Sequence, residues 1–397
     1  MSTGDTAVSQ PADASVPWGD RTVWVVLAST ALAPLGVPLL SPTLPVFRDH
    51  FGLSDPQAAL LVSGYFVVGI LLSPFIGLLA DRVGRKHVLV GGLLGFGVLG
   101  GAMAAAPSFE VVLVLRVVQG TAAAAIFITT VTIVSESFEG AQRMAVLGIN
   151  VAVLSAGAAL YPVLGGTLAT IAWNVPFLAY LGALPVALFA AFTLAEPRRA
   201  AGARGLSYLS NAARAVVTPS TLALLGATLL TEFLGFGVLF TALPFLLGSS
   251  LSPVLIGVVL FGAELASMLA AAAAGRLSLS IAVDRLIAVG FACYGLGFLL
   301  IWVAPGPLVV AAGAVVAGAG VGLLLPSIDA VLSERVPADY RAGTFSLRNS
   351  TTFLGRTTGP LAFAGLAVTA GYGYAPLLFA AGVLALLTAG FTVVVTR

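Results

Sequence analysis

The feature that most constrains this chain is a series of long runs without charge. Residues 56 to 80, 88 to 109 and 144 to 195 contain no charged side chain. An apolar helix of about 20 residues spans the hydrocarbon core of a bilayer. Only 9% of the residues are charged and the mean hydropathy is +1.07, whereas soluble proteins carry about 25% charged residues. We therefore predict an all-α membrane protein.

The apolar runs, and the charged or Gly/Pro-rich breaks between them, predict twelve membrane-spanning helices. Their approximate bounds are 22–46, 58–80, 88–106, 111–134, 144–169, 175–194, 220–247, 253–275, 286–304, 308–332, 344–369 and 375–395. Cytoplasmic loops carry an excess of Lys and Arg, which predicts the orientation. With the N-terminus inside, Arg48 is the one basic residue of the outer segments. The inner segments then hold Arg21, Arg82, Arg85, Lys86, Arg143, Arg198, Arg199, Arg204, Arg214, Arg276, Arg285, Arg335, Arg341 and Arg397. We expect a multi-pass protein of the cell membrane with both termini in the cytoplasm.

The two halves of the chain repeat, so that Pro360 follows Pro162 by 198 residues. The same offset aligns Leu53-Ser54 with Leu251-Ser252, Ser135-Glu136 with Ser333-Glu334, and Arg143 with Arg341. Six spans per half leave both halves in the same orientation, which predicts two parallel six-helix bundles with a site between them. We assign residues 1–21 to a disordered cytoplasmic tail, 22–194 to the first bundle, 195–219 to a cytoplasmic linker and 220–397 to the second bundle.

Three motifs carry a resemblance to a known family. The loop between spans 2 and 3, Gly77-x-x-x-Asp81-Arg82-x-Gly84-Arg85-Lys86, resembles the signature loop of the major facilitator superfamily. The segment LRVVQG in span 4, with Arg116, Gln119 and Gly120, is similar to that superfamily's second motif. The segment GAALYPVLGG in span 5, with Gly157, Pro162, Gly165 and Gly166, resembles the motif of its twelve-span drug–proton antiporter branch.

The resemblance also implies a role for the charged loop. In the family, the acid of this loop docks at the start of span 11, and its arginine pairs with an acid that ends span 4. In this chain those elements are the segment from Ala342 to Phe345 and Glu136. We therefore expect a conformational latch: Asp81 against span 11, and Arg85 or Arg82 against Glu136. The latch is expected to favour the outward-open state.

Charged residues within the spans identify the candidates for proton coupling. A charge at mid-bilayer costs about 3 kcal/mol, so it faces the bundle interior or a water-filled cavity. Glu232 in span 7 and Glu264 in span 8 lie near mid-depth, where alternating access to water would let a carboxyl group load and release a proton. Either acid is a candidate, with Glu264 favoured because bulky Phe233 and Phe236 flank Glu232; permanent pairing with an arginine is the structural alternative. Arg116 in span 4 and Arg356 in span 11 are the basic candidates.

Aromatic and amide residues on the same spans are candidates for a solute cavity, and aromatic rings suit a flat or greasy solute. For any one of these residues, ordinary helix packing is the alternative. The candidates are Tyr65, Phe66, Gln119, Phe127, Asn150, Tyr161, Phe233, Phe236, Phe240, Asn349 and Phe353.

These observations predict a secondary active transporter, with proton-coupled efflux of small amphipathic or drug-like solutes by alternating access as the leading hypothesis. A sugar or metabolite exporter of the same fold is the alternative. With His50 and His87 as the two histidines, the sequence offers no metal set or Ser-His-Asp arrangement, so we expect neither an enzyme nor a cofactor. The expected partners are a small-molecule solute, protons and the lipid bilayer, without nucleic acid, and we expect a monomer.

Overall fold

The computed structural model consists of helices joined by short turns and loops over the residues that it describes, which are 15–196, 218–304, 306–336 and 340–395. The predicted all-α fold is confirmed. Most of the predicted tail and linker lies outside the described residues. We number the spans 1 to 12 as follows: Arg21–Leu32 with Leu44–Phe51, Asp55–Val83, Arg85–Ala105, Phe109–Ser137, Gly140–Ala169, Val175–Thr193, Pro219–Leu247, Pro253–Leu277, Val283–Trp302, Pro307–Arg335, Arg341–Ala364 with Gly365–Thr369, and Tyr374–Val395.

Ten of these spans are recognisable by composition alone. Within the described residues, nine helices are long and apolar enough to cross a membrane, and span 2 is a tenth when its two bent parts count as one. Span 1 is missed because it is broken, and its first apolar helix covers only Arg21–Leu35. Span 11 is much less apolar than the others and carries Arg341, Arg348 and Arg356.

The Leu-Ser pair that recurs in the two halves is explained by helix capping. Ser54 and Gln57 form a capping box at the start of span 2, and Ser252 caps span 8 by accepting from the backbone N–H of Leu255. These side chains satisfy backbone donors that a helix start leaves unpaired. The repeat therefore places the same Leu-Ser start before two equivalent helices.

Span 1 differs from the expected continuous helix. Its α-helix stops at Leu32, short 3-10 turns occupy Ala33–Leu35 and Ser41–Thr43, and helix resumes at Leu44. Pro34, Pro38 and Pro42 cause the break, because proline lacks a backbone N–H and clashes with the preceding turn. At the corresponding position of span 7, Gly235–Ala242 forms a π-helix. The repeat thus preserves a helix irregularity as well as a sequence.

The two bundles meet mainly through span 5 against span 8 and span 2 against span 11. Spans 3, 6 and 9 pack mainly within their own half. Close contacts between the halves lie toward the predicted outer ends: a Cβ on Gly166 would collide with the Pro253 carbonyl, and one on Gly257 with the Pro162 carbonyl. This conformation is therefore closed at the predicted outer side.

Candidate functional site

The centre of the second bundle contains a bidentate ion pair. Arg356 of span 11 donates from Nε to Glu232 Oε2 at 2.9 Å and from Nη2 to Oε1 at 3.0 Å. The Glu232 side chain is 5% exposed and that of Arg356 is 28% exposed. Such forked geometry is the strongest form of arginine–carboxylate contact. The pair lies near the midpoints of both spans, where an isolated charge would be costly.

Two glycines allow the spans that carry this pair to approach. A Cβ on Gly355 would lie 2.8 Å from Glu232 Cβ, and a Cβ on Gly359 would collide with the Phe233 carbonyl. In the first half, Gly157 and Gly165 pack in the same way against Pro34 and Leu39 of span 1. The small residues of the GAALYPVLGG motif and of its repeat copy GRTTGP therefore bring spans 5 and 11 against the broken spans 1 and 7.

Glu264 of span 8 has a different environment from Glu232. It lies near the midpoint of Pro253–Leu277 and is partly accessible. Among the described residues it forms no ion pair within 4.0 Å and no hydrogen bond. The charges that act on it through space are Arg356 and Glu232. The structure therefore brings three of the predicted titratable candidates into one polar centre, in which Glu264 has no direct partner.

Two aromatic rings, one from each half, lie beside Arg356. Its guanidinium lies 4.8 Å from the ring centroid of Phe236 and 5.4 Å from that of Phe66, within the range of cation–π attraction. Phe66 also contacts Phe353, with ring centroids 6.0 Å apart, and Tyr65, at 5.1 Å. Phe240 continues this wall, 5.0 Å from Phe236. Five of the predicted aromatic candidates thus form one wall beside the ion pair.

Arg116 is fully buried in the first half. It donates to the carbonyl oxygens of Leu61, at 2.9 Å, and of Gly36, to Gln119 Oε1 at 2.8 Å and to Tyr180 Oη at 3.1 Å. Gly36 lies in the break of span 1, where a carbonyl is free of helical hydrogen bonds. Arg116 therefore ties spans 2, 4 and 6 to this break through neutral acceptors, and its guanidinium lies 4.2 Å from the ring centroid of Tyr65.

The amide candidates of the first half are engaged inside the protein. Gln119 accepts from Arg116 and donates to the Phe96 carbonyl at 3.1 Å. Asn150 is buried and accepts from Thr30 at 2.7 Å. In this conformation neither residue has the exposure that our cavity prediction expected, because each is satisfied by a neighbouring span.

The remaining cavity candidates are dispersed. Tyr161 donates to the Ala31 carbonyl at 2.8 Å, and Phe127 is 40% exposed. Phe233 lines an apolar cleft of about 390 Å³ between spans 7 and 11. Asn349 is partly exposed and precedes Phe353 by four residues and Arg356 by seven, which places all three on one face of span 11.

The charged loop forms a cluster within the first half. Arg85 Nη2 lies 2.8 Å from Glu136 Oε1 and 2.5 Å from Asp81 Oδ1. Gly84 has φ +106°, a backbone conformation that favours glycine. Glu196, which our sequence reasoning missed, accepts from the backbone N–H groups of Arg85 at 2.5 Å and Lys86 at 3.2 Å. The carboxylate caps the start of span 3, where helix geometry favours an anion.

Two further ion pairs escaped the sequence analysis. Asp329 of span 10 contacts Arg348 of span 11 at 2.8 Å. Asp284 contacts Arg335 at 3.3 Å, at the position that corresponds to the contact between Arg85 and Glu136. The second half therefore carries an equivalent pair at its predicted cytoplasmic end, with the charges reversed. Asp284 and Arg335 follow Arg85 and Glu136 by 199 residues. A search for charged residues at the 198-residue repeat, allowing a shift of one residue, would have found this pair.

Comparison with known proteins agrees with this architecture. The model of the Major Facilitator Superfamily matches residues 26–246 and again 224–397. The chain is 29% identical over 170 residues to the quinolone resistance protein NorA of Staphylococcus aureus; this segment spans 43% of the chain and less than half, 44%, of NorA. It is 27% identical over 367 residues to the bacillibactin exporter of Bacillus subtilis (strain 168), covering 86% of the chain and 89% of that protein.

A solved structure shows the same fold at low identity. A bacterial homologue of the human lysosomal transporter Spinster, in an inward-facing and occupied conformation, superposes with a TM-score of 0.76 over 94% of this chain and 96% of that one. The two sequences are 18% identical. This similarity concerns the arrangement of the helices.

Proposed function

The chain belongs to the Major Facilitator Superfamily, and we propose that this membrane transporter couples proton entry to the efflux of small amphipathic or drug-like solutes. The observation that carries the proposal is the contrast between two acids in one polar centre. Glu232 is held by Arg356 at 2.9 and 3.0 Å, whereas Glu264 has no ion pair among the described residues. We assign proton coupling to Glu264 and a structural role to the ion pair of Glu232.

A carboxyl group without a partner suits this task. An ionised Glu264 would be an uncompensated charge near mid-bilayer, which is costly unless water or a proton reaches it. Because Arg356 and Glu232 are its charged neighbours, binding of a solute beside them would change its environment directly. Competition between solute and proton for one centre is the simplest physical basis of exchange.

The aromatic wall supports the proposed solute class. Tyr65 and Phe66 belong to the first half, and Phe236, Phe240 and Phe353 to the second. Apolar pockets with a few polar groups are typical of small-molecule sites. The names of two relatives, a quinolone resistance protein and a bacillibactin exporter, support export as the direction of transport.

The arrangement of the halves supports alternating access. The two bundles touch at their predicted outer ends, so a rocking motion that separates these ends would open the polar centre to the other side. We further propose that the inner membrane or plasma membrane is the site of action, with both termini cytoplasmic, from the distribution of basic residues.

The alternative of a sugar or metabolite exporter predicted that Gln119 and Asn150 offer hydrogen bonds to a solute. In this conformation both amides are hydrogen-bonded within the first half, so binding of a sugar or metabolite would have to replace these contacts.

Transport by the purified protein in proteoliposomes tests the proposal. Vesicles are loaded with a fluorescent amphipathic compound, and its movement is followed with an imposed pH gradient and after the gradient is collapsed. We expect the compound to move in the direction opposite to the flow of protons, and this movement to stop when the pH gradient is collapsed. Equal transport under both conditions would contradict proton coupling. Transport of radiolabelled hexoses in place of the fluorescent compound would favour the alternative.

A further inference from the structure

A polar cluster at the predicted outer face joins the two halves. We call it the outer clasp and define it as Arg48, Asp55, Phe245 and Tyr374. Arg48 and Asp55 belong to the first half, at the end of span 1 and the start of span 2. Phe245 and Tyr374 belong to the second half, at the end of span 7 and the start of span 12.

The carboxylate of Asp55 is the centre of the outer clasp. Its Oδ2 accepts from Tyr374 Oη at 2.7 Å, and its Oδ1 accepts from Arg48 Nη1 at 2.9 Å. The Asp55 side chain is 12% exposed. A hydrogen bond to an ionised acceptor is stronger than one between neutral groups, so a single oxygen of Asp55 supplies a strong contact across the halves.

Ring contacts extend the same junction. The Arg48 guanidinium lies 5.8 Å from the centroid of Phe245. Phe245 in turn stacks with Tyr374, with centroids 6.4 Å apart and planes inclined by 14°. Arg48 therefore contacts a carboxylate of its own half and an aromatic ring of the other half.

The clasp lies beside a tightly packed seam. Ser41, which is fully buried, donates to the Phe240 carbonyl of the other half at 2.7 Å. A Cβ on Gly248 would lie 2.7 Å from Pro45 Cγ. Opening this side of the protein must therefore break the clasp and separate the seam.

Part of the cluster has an explanation within one half. An acid in the first turn of a helix is favoured by the helix dipole, and Arg48 balances the charge of Asp55. Neither contact requires Tyr374. The Tyr374 hydroxyl adds a hydrogen bond between the halves to this local ion pair, beside the contact of Arg48 with the Phe245 ring.

We propose that the outer clasp is the outer gate of this transporter, and that loss of the hydrogen bond from Tyr374 to Asp55 is a required step of outward opening. The gate acts on the conformational equilibrium whichever solute or ion is carried. The test measures only the opening of the outer side and not transport. A negative result would therefore contradict the gate without contradicting the proposed transport activity.

The test compares Tyr374→Phe, which removes only the hydroxyl, with Tyr372→Phe, a change to an exposed tyrosine two residues away. Both are made in protein with Cys293→Ala and spin labels at Ile171→Cys and Ser249→Cys, one at the outer end of each half. In lipid nanodiscs, Tyr374→Phe is expected to raise the ratio of long to short distances about tenfold, the effect of one hydrogen bond to a charged acceptor. The control is expected to match the parent.

A second measurement detects opening when only a small fraction of the protein is in the outward-open form. The rate of thiol modification at Ser41→Cys in unlabelled Cys293→Ala protein scales with the fraction of time that the seam is open. Tyr374→Phe is expected to increase this rate about tenfold, and Asp55→Asn at least as much because it also loses the charge partner of Arg48. If neither the distances nor the rate differ between Tyr374→Phe and its parent, the clasp is not a gate.

Discussion

Glu232 and Arg356 lie 124 residues apart and form two hydrogen bonds, at 2.9 and 3.0 Å, in the middle of the second bundle. The arrangement supports the distinct roles that we propose for the two candidate acids. A carboxylate held by a bidentate guanidinium is already compensated, whereas the charge of an ionised Glu264 would need water, a proton or a solute.

Replacement of Glu264 by Gln is expected to abolish coupling while preserving binding, because the amide keeps the shape and loses the titration. Gradient-driven transport is expected to fall at least about tenfold, a difference of roughly 1.4 kcal/mol, while solute exchange without a gradient survives. Transport assays in proteoliposomes measure both. Glu110→Gln, at a helix start outside the bilayer core, serves as the matched control; pH-driven transport that survives in Glu264→Gln would contradict the assignment.

Loss of both partners of the central ion pair is expected to cost less than the sum of the two single losses. Glu232→Gln leaves a guanidinium without compensation, and breaking a buried pair costs about 3–5 kcal/mol; partial exposure of Arg356 reduces this to about 2 kcal/mol. The double variant Glu232→Gln/Arg356→Gln is expected to be more stable than the sum of the single effects predicts. Thermal unfolding in detergent measures the difference, and strict additivity would show that the pair is not coupled.

Arg116→Lys is expected to destabilise the first bundle although it keeps the charge. A lysine ammonium lacks the forked geometry that reaches Leu61, Gly36, Gln119 and Tyr180 together. Two unsatisfied buried acceptors would cost about 2–4 kcal/mol. A lower unfolding temperature with unchanged dependence of transport on the pH gradient is expected; normal stability with lost coupling would instead assign Arg116 to proton transfer.

Gly166→Ala is expected to shift the protein toward the conformation in which the outer side is open. Its added Cβ would collide with the Pro253 carbonyl across the seam, whereas Gly148→Ala in the same span meets nothing within 4 Å. Spin-label distances between the outer ends of spans 5 and 8 are expected to lengthen in Gly166→Ala alone. Unchanged distances would mean that the seam relaxes around the methyl group.

Asp81→Asn is expected to slow the transport cycle and to populate the inward-open conformation. In the present conformation Asp81 lies 2.5 Å from Arg85 in its own half, and its docking at the start of span 11 remains a prediction for the opposite state. The latch would contribute about 1–3 kcal/mol, which shifts a balanced equilibrium about 5- to 150-fold. Lys86→Gln changes the charge of the same loop and tests anchoring alone. If both variants cycle at the parental rate, the cluster is only a membrane anchor.

Much of this architecture follows from the sequence because it depends on local properties. Hydropathy identifies a span wherever about 20 apolar residues follow one another, and the excess of Arg and Lys on one side predicts orientation. The Leu-Ser starts of spans 2 and 8 align because the same helix start needs the same cap. Span 11 is recognisable mainly through the repeat, since its arginines lower its hydropathy.

The partners of the charged residues were decided by tertiary packing. Whether Arg356 pairs with Glu232 or Glu264 depends on which helix faces meet, and Gly355 and Gly359 bring span 7, not span 8, into reach. Asp55 and Tyr374 are 319 residues apart, and nothing in either segment identifies the other. Ion pairs within a bundle depend on distances of a few ångströms, and such distances are set by the approach of whole helices, which a linear pattern of hydropathy does not encode.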